Sequence, residues 1–97
     1  MGTDYKLKIP EDTARLIKSL HPDLKSRVKA ALKSILQDPY SGNALKDELN
    51  GLRSFKIRRI RLIYRISSGK IIEIIAIGPR KNIYEETFKL ISKKGET

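Results

Sequence analysis

The sequence predicts an α+β fold. A small, mostly antiparallel sheet in the order β-α-α-β-β-β-α should carry two N-terminal helices on one face and a C-terminal helix at its rim. Three observations point there. Residues 22–37 repeat apolar side chains at helical spacing. Residues 53–66 and 71–77 read as strands separated by turn residues. A last helix-like stretch follows Gly78-Pro79. At 97 residues the chain, 1–97, is a single domain.

Residues 3–9 alternate, with Tyr5, Leu7 and Ile9 on one face, as an edge or joining strand does. Pro10 ends that strand and suits the first turn of a short helix. Glu11 and Asp12 meet the positive helix end there, and Leu16, Ile17 and Leu20 form an apolar side. His21-Pro22-Asp23 interrupts and restarts the helix. In the second helix Leu24, Val28, Ala31, Leu32, Ile35 and Leu36 face inward, with Lys25, Arg27, Lys29 and Lys33 mostly outside. Residues 38–43 have loop composition, and residues 44–49 form a short turn or helix before Asn50-Gly51. Ser67-Ser68-Gly69-Lys70 is a turn, and residues 71–77 are the most apolar strand, expected at the sheet centre. Asn82 with Glu85 three residues on resembles a capping box, so the last helix is expected over about 83–92. Residues 93–97 are expected to fray.

The stretch 50–65, NGLRSFKIRRIRLIYR, organises the rest. A tight turn at Arg58-Arg59 sets Ile57 opposite Ile60, Lys56 opposite Arg61 and Phe55 opposite Leu62. Side chains alternate between faces. Phe55, Ile57, Ile60, Leu62, Tyr64 and Ile66 then share an oily face against the helices, and Lys56, Arg61 and Arg65 share a basic one that is left free. Like charges facing each other across a ladder are destabilising. A chain that keeps Lys56 against Arg61 has an anion to place between them.

Composition agrees. Lys and Arg number 21 against 11 Asp and Glu, a formal charge of +10. Such a surplus favours a polyanionic partner: nucleic acid, a ribonucleoprotein, an acidic protein or an anionic membrane. The competing reading is that abundant lysine only solvates the surface. The absence of cysteine excludes a disulfide framework and a thiolate zinc site. With no secretory apolar segment, it favours the cytoplasm. No apolar run approaches the roughly 20 residues that span a bilayer, so no membrane partner is expected.

The common catalytic constellations are missing. There is no Gly-rich phosphate loop, no metal-ligand cluster and no Ser-His-Asp set, so neither metal nor small-molecule cofactor is expected. His21 is the only histidine, which excludes a two-histidine nuclease; it reads as a cap or surface residue. Asp47-Glu48 and Glu85-Glu86 are adjacent pairs, not spaced carboxylates. Arginine, lysine and tyrosine remain. Lys56, Arg58 and Arg61 surround the hairpin, Arg80 and Lys81 follow the last strand, and Tyr84 lies a helical turn further on. Each has a plainer reading. Lys56 and Arg61 would also suit a solvated strand face, and Arg80 a helix-flanking charge. Tyr84 falls on an apolar stripe with Phe88 and Ile91, although a tyrosine can pack its ring and still present its hydroxyl. Tyr64 alternates onto the oily face as a core residue.

Residues 51–64, GLRSFKIRRIRLIY, and 75–86, IAIGPRKNIYEE, resemble the RelE/ParE superfamily of bacterial and archaeal toxins. The resemblance covers nearly the whole chain. Its two motifs are Arg61 with Tyr64 and Arg80 with Tyr84. It implies a toxin neutralised by a cognate antitoxin. RelE-like members cleave mRNA in the ribosomal A site without metal; ParE-like members share the fold and inhibit DNA gyrase. Lys56, Arg61, Arg80 and Tyr84 match family positions in type and so favour the nuclease branch. On that reading they are the catalytic set, with Arg53, Arg58, Arg59, Arg65 and Lys81 as RNA contacts and the ribosome with its mRNA as partner. A gyrase inhibitor, an inactive toxin homologue and a plain RNA-binding module are the alternatives. Two departures stand out: Arg58 occupies a turn where many relatives have glycine, and Pro79 stands where they often have histidine.

Overall fold

A computed structural model of the chain describes residues 4–95, and the side chains of residues 4–92. The chain runs β1 (Lys6–Lys8), α1 (Glu11–Lys18), α2 (Pro22–Gln37), β2 (Asn43–Ala44), a 3-10 turn (Asp47–Leu49), β3 (Arg53–Ile57), β4 (Ile60–Ser67), β5 (Ile71–Pro79) and α3 (Arg80–Gly95). The strands form one sheet ordered β1-β5-β4-β3-β2, antiparallel except for the β1–β5 pair. The α+β class and the order of the expected elements hold. β2 is an addition, a two-residue edge piece made of the last residue of the expected loop and the first of the expected turn or helix. β5 is interior, but β4 holds the middle of the sheet. The residue expected to start the first strand, Thr3, lies outside the described residues.

The two N-terminal helices start where the sequence supplies an anchor. Pro10 precedes α1, with Glu11 and Asp12 in its first turn. His21 caps α2: its Nδ1 accepts a hydrogen bond from the Asp23 amide at 3.3 Å, with Pro22 at the first helical position. Both helices cover one face of the sheet. Ile17, Val28, Ala31 and Ile35 pack there on Ile57, Leu62, Tyr64, Ile72, Ile74 and Ile77, flanked by Tyr5, Leu7 and Ile9. Each fully buried side chain of this size contributes about 1.5–3 kcal/mol. Leu16, expected on the apolar side of α1, is exposed instead.

The opposite face is not left free, and here the sequence expectation is corrected. Leu52, Ile63, Ala76 and Ile83 form a second core beneath α3, with Ile75, Tyr84 and Ile91 packed against it. A β-bulge makes this possible. Ile63 pairs with Ala76 but Tyr64 pairs with Ile74, so Ile75 is an extra residue on β5. The bulge shifts the phase of alternation. Ile75 and Ala76 both serve the second core, while Ile77 returns to the first. Gly78 then falls opposite Arg61 and Pro79 opposite Ile60. The strand therefore delivers Arg80 to the hairpin turn, where the Arg80 amide donates to the Arg59 carbonyl at 3.0 Å.

α3 begins at Arg80 rather than near Ile83. Asn82 is therefore inside the helix, and the expected capping box does not form its start. The helix begins at the rim, as expected, and then crosses the second face. Its buried positions are Ile83 and Thr87; Phe88 is exposed. Residues 93–95, expected to fray, are helical, and Glu96 and Thr97 lie outside the described residues.

Candidate functional site

The two-residue turn at Arg58-Arg59 is present with the expected register, including Lys56 opposite Arg61. Arg58 takes φ +53, a conformation that glycine adopts freely and other residues adopt at a cost. The Arg61 guanidinium is held against this turn. Its Nη1 donates to the Arg58 carbonyl at 3.0 Å and to the Ile60 carbonyl at 2.9 Å. Its position is thereby fixed before any ligand arrives.

Around the turn opens a hollow of about 700 Å3, lined by Lys56, Arg58, Arg59, Arg61, Arg80, Lys81 and Tyr84. Three parts of the chain converge on it. β3 brings Lys56, the turn with β4 brings three arginines, and the first residues of α3 bring Arg80, Lys81 and Tyr84. None of the six cations is paired with a carboxylate among the described residues. Six like charges around one hollow repel one another, which makes it a focus for a polyanion.

Tyr84 sits at the inner wall. Its ring packs on the second core, and its hydroxyl lies 3.2 Å from that of Ser54, a buried residue of β3. Ser54 was absent from the sequence reading. Its signal was available in principle, because it alternates onto the face of Lys56 and Arg61, but serine in a strand carries no charge or bulk to mark it.

Two sequence candidates stand elsewhere. Arg53 donates from Nε and Nη2 to the Gly42 carbonyl at 3.1 and 2.9 Å, and from Nη2 to the Tyr40 carbonyl at 3.0 Å. It also lies 5.2 Å from the Tyr40 ring centroid. Nε and Nη2 thus hold the loop after α2, and Arg53 stands apart from the basic hollow. Arg65 points to the far end of the second face. It donates to Glu73 Oε1 from Nε at 3.0 Å and from Nη2 at 2.5 Å, and it borders a groove with Leu90 and Ile91 instead of the basic hollow. The other seven candidates meet at one place.

Tyr64 is a core residue, fully buried. Its hydroxyl donates to the Pro39 carbonyl at 2.7 Å and accepts from the Gly42 amide at 3.0 Å. Among the described residues no three His, Cys, Asp or Glu side chains gather where a metal ion could be held. No described helix is long and apolar enough to cross a membrane.

The family described as "ParE-like toxin of type II bacterial toxin-antitoxin system" matches residues 7–88. The chain belongs to this toxin family. No curated protein matches it in sequence. Solved structures do. The isolated E. coli RelE toxin is 25% identical, with a TM-score of 0.68 over 90% of this chain and 98% of that one. A chain of the RelBE2 toxin-antitoxin complex from Mycobacterium tuberculosis is also 25% identical, with a TM-score of 0.68 over 78% of this chain and 98% of that one. The archaeal RelE-RelB complex from Pyrococcus horikoshii OT3 gives 23% identity and a TM-score of 0.65, covering 78% and 94%. The expected RelE/ParE superfamily is thus established, and the ParE-like toxin fold carries its cationic hollow at the junction of the hairpin and α3.

Proposed function

We propose that this ParE-like toxin is a ribosome-dependent mRNA endoribonuclease of the RelE type, working without metal through the RNA 2′-hydroxyl and arresting translation in the cytoplasm. The observation that carries the reading is the convergence of six cations and one phenol on a single hollow, with no carboxylate in its lining among the described residues. A protein antitoxin is the natural partner of a type II toxin, and the RelBE2 complex among the similar structures supports one here.

In the proposed reaction the 2′-oxygen attacks the adjacent phosphorus and the bond from phosphorus to the 5′-oxygen breaks. The products are a 2′,3′-cyclic phosphate and a free 5′-hydroxyl. One proton leaves the attacking hydroxyl and one reaches the departing oxygen. Negative charge grows on the phosphate oxygens in between. Arg61 and Arg80 flank the hollow and would stabilise that charge through forked donors. Arg61 is already held by two carbonyls, so less reorganisation accompanies the reaction. Guanidinium groups hold their protons, which leaves Lys56 and Tyr84 as the hollow's groups for proton transfer; acid–base work of this kind contributes about 10²–10⁴ in rate. Arg58, Arg59 and Lys81 would hold the flanking phosphates.

The test is cleavage of mRNA on purified ribosomes. Arg80→Ala is expected to lower the rate at least about tenfold, equivalent to about 1.4 kcal/mol of transition-state stabilisation. Arg80 is exposed, so the variant should fold. Undiminished cleavage by the folded variant would remove Arg80 from the mechanism. A second reading, inhibition of DNA gyrase, is favoured by the ParE-like character of the matching family. Supercoiling assays on the same preparation separate the two: gyrase inhibition without mRNA cleavage would replace the nuclease reading.

A further inference from the structure

β2 covers only the start of β3, through Asn43 opposite Ser54 and Ala44 opposite Arg53. Further along, Phe55, Lys56 and Ile57 form a sheet edge with no strand outside it among the described residues. The basic hollow opens on one side of that edge. On the other, between β3 and α2, lies a groove of about 270 Å3 bordered by Arg27, Ala30, Ser34, Phe55, Lys56 and Arg58. Lys56 and Arg58 line both spaces, so the two are neighbours across the strand edge.

We propose that this groove is a second RNA subsite, holding a nucleotide that flanks the phosphate bound in the hollow. The proposal rests on the reading of the hollow as an RNA site. Three features support a nucleotide as occupant. Arg27, Lys56 and Arg58 supply positive charge, and among the described residues no acidic one lines the groove. Among the described residues Arg27 has one partner, Asp23 at 3.5 Å, in an exposed pair; such pairs are weak, so Arg27 can turn to a phosphate. Ala30 and Ser34 are small, exposed and one helical turn apart on α2, which lets a sugar-phosphate backbone come close. Phe55 is half-buried and offers a flat apolar wall on which a base can stack. The size limits the occupant. The groove falls just below the roughly 300–1,000 Å3 of small-ligand sites, room for one base and its ribose. An open strand edge also invites a peptide to add as a further strand. Such a peptide needs pockets for alternate side chains, and the cationic, small-residue lining suits RNA better.

Fluorescence anisotropy with single-stranded RNA of about two and about eight nucleotides tests this at low salt. The hollow alone serves the short RNA; the longer one reaches the groove. The longer RNA is expected to bind the wild-type protein more tightly. Arg27→Gln, Ala30→Glu and Phe55→Leu should each weaken it about fivefold or more, with affinity for the short RNA unchanged. The first two positions are exposed and Leu keeps apolar bulk at the third, and circular dichroism checks that each variant folds. Equal affinity for the two lengths, undetectable binding of either, or variants that bind the longer RNA like wild type would overturn the proposal. So would variants that bind both lengths normally but lose affinity for an antitoxin. Ribosome-dependent cleavage by the same wild-type preparation separates the two readings. Cleavage with length-independent binding discards the groove alone; length-dependent binding with no cleavage discards the nuclease alone.

Discussion

Arg58 is where a single residue's backbone and side chain work against each other. Its φ of +53 is strained for a residue with a Cβ, at a cost on the order of 1 kcal/mol. Its side chain lines the hollow. Arg58→Gly should therefore raise stability in urea by up to about 1 kcal/mol, less the larger entropy glycine loses on folding, while weakening RNA binding. A variant both less stable and equally tight would show that the arginine is kept for packing. The turn at Arg58-Arg59 was legible in the sequence because basic residues separated two alternating runs; the strain was legible from the missing glycine. A second residue-scale device was half legible. Tyr64 was placed in the core by alternation, but its latch on the loop was not. Gly42 meets it so closely that a Cβ there would stand 2.6 Å from the Tyr64 hydroxyl and 3.0 Å from the Ser54 carbonyl. Gly42→Ala should cost about 1–3 kcal/mol by overpacking. Tyr64→Phe should cost about 1–3 kcal/mol by leaving the Gly42 amide and Pro39 carbonyl without their partner. Both changes strike one contact, so thermal denaturation of the double variant should show less than the sum. Strict additivity would mean the latch is not a unit.

At the scale of elements, α3 is the part the sequence disclosed least. The Tyr84, Phe88 and Ile91 stripe and the Ile83, Thr87 stripe have the same helical period, and only the first is apolar throughout. Hydrophobicity alone misleads at two positions: Phe88 is exposed and Thr87, which does not announce itself, is buried, while Tyr84 and Ile91 do pack on the second core. The bulge at Ile75 was equally hidden: within an all-apolar run a shift in phase leaves no trace in the pattern. By contrast the pairing of β3 with β4 followed directly from alternation and from the charge that marks one face. Thr87 tests the second core. Its side chain is fully buried, and its Oγ1 has no hydrogen-bond partner among the described residues. A buried, unpaired hydroxyl is unfavourable. Thr87→Val should raise the melting temperature, with a gain of up to about 1 kcal/mol. A fall in melting temperature would mean that the hydroxyl makes a bond, directly or through water, that stabilises α3.

For the whole molecule the question is whether the charge of +10 acts as a diffuse cloud or through one place. Each contact between a cation and a phosphate of single-stranded RNA releases counterions, and the slope of log affinity against log salt falls by about 0.7 per contact. Six cations around the hollow set an upper bound of roughly −4 on the slope they can generate together. If the hollow gathers the phosphates, Arg59→Gln should flatten the slope by about 0.7. Arg65→Gln should leave it unchanged, because Arg65 is turned to Glu73 on the far end of the face. The two variants carry the same net charge, so that quantity cannot distinguish them. Equal flattening by both would mean that RNA responds to the overall charge of the surface, and the convergence of β3, β4 and α3 would then have no special part in holding it.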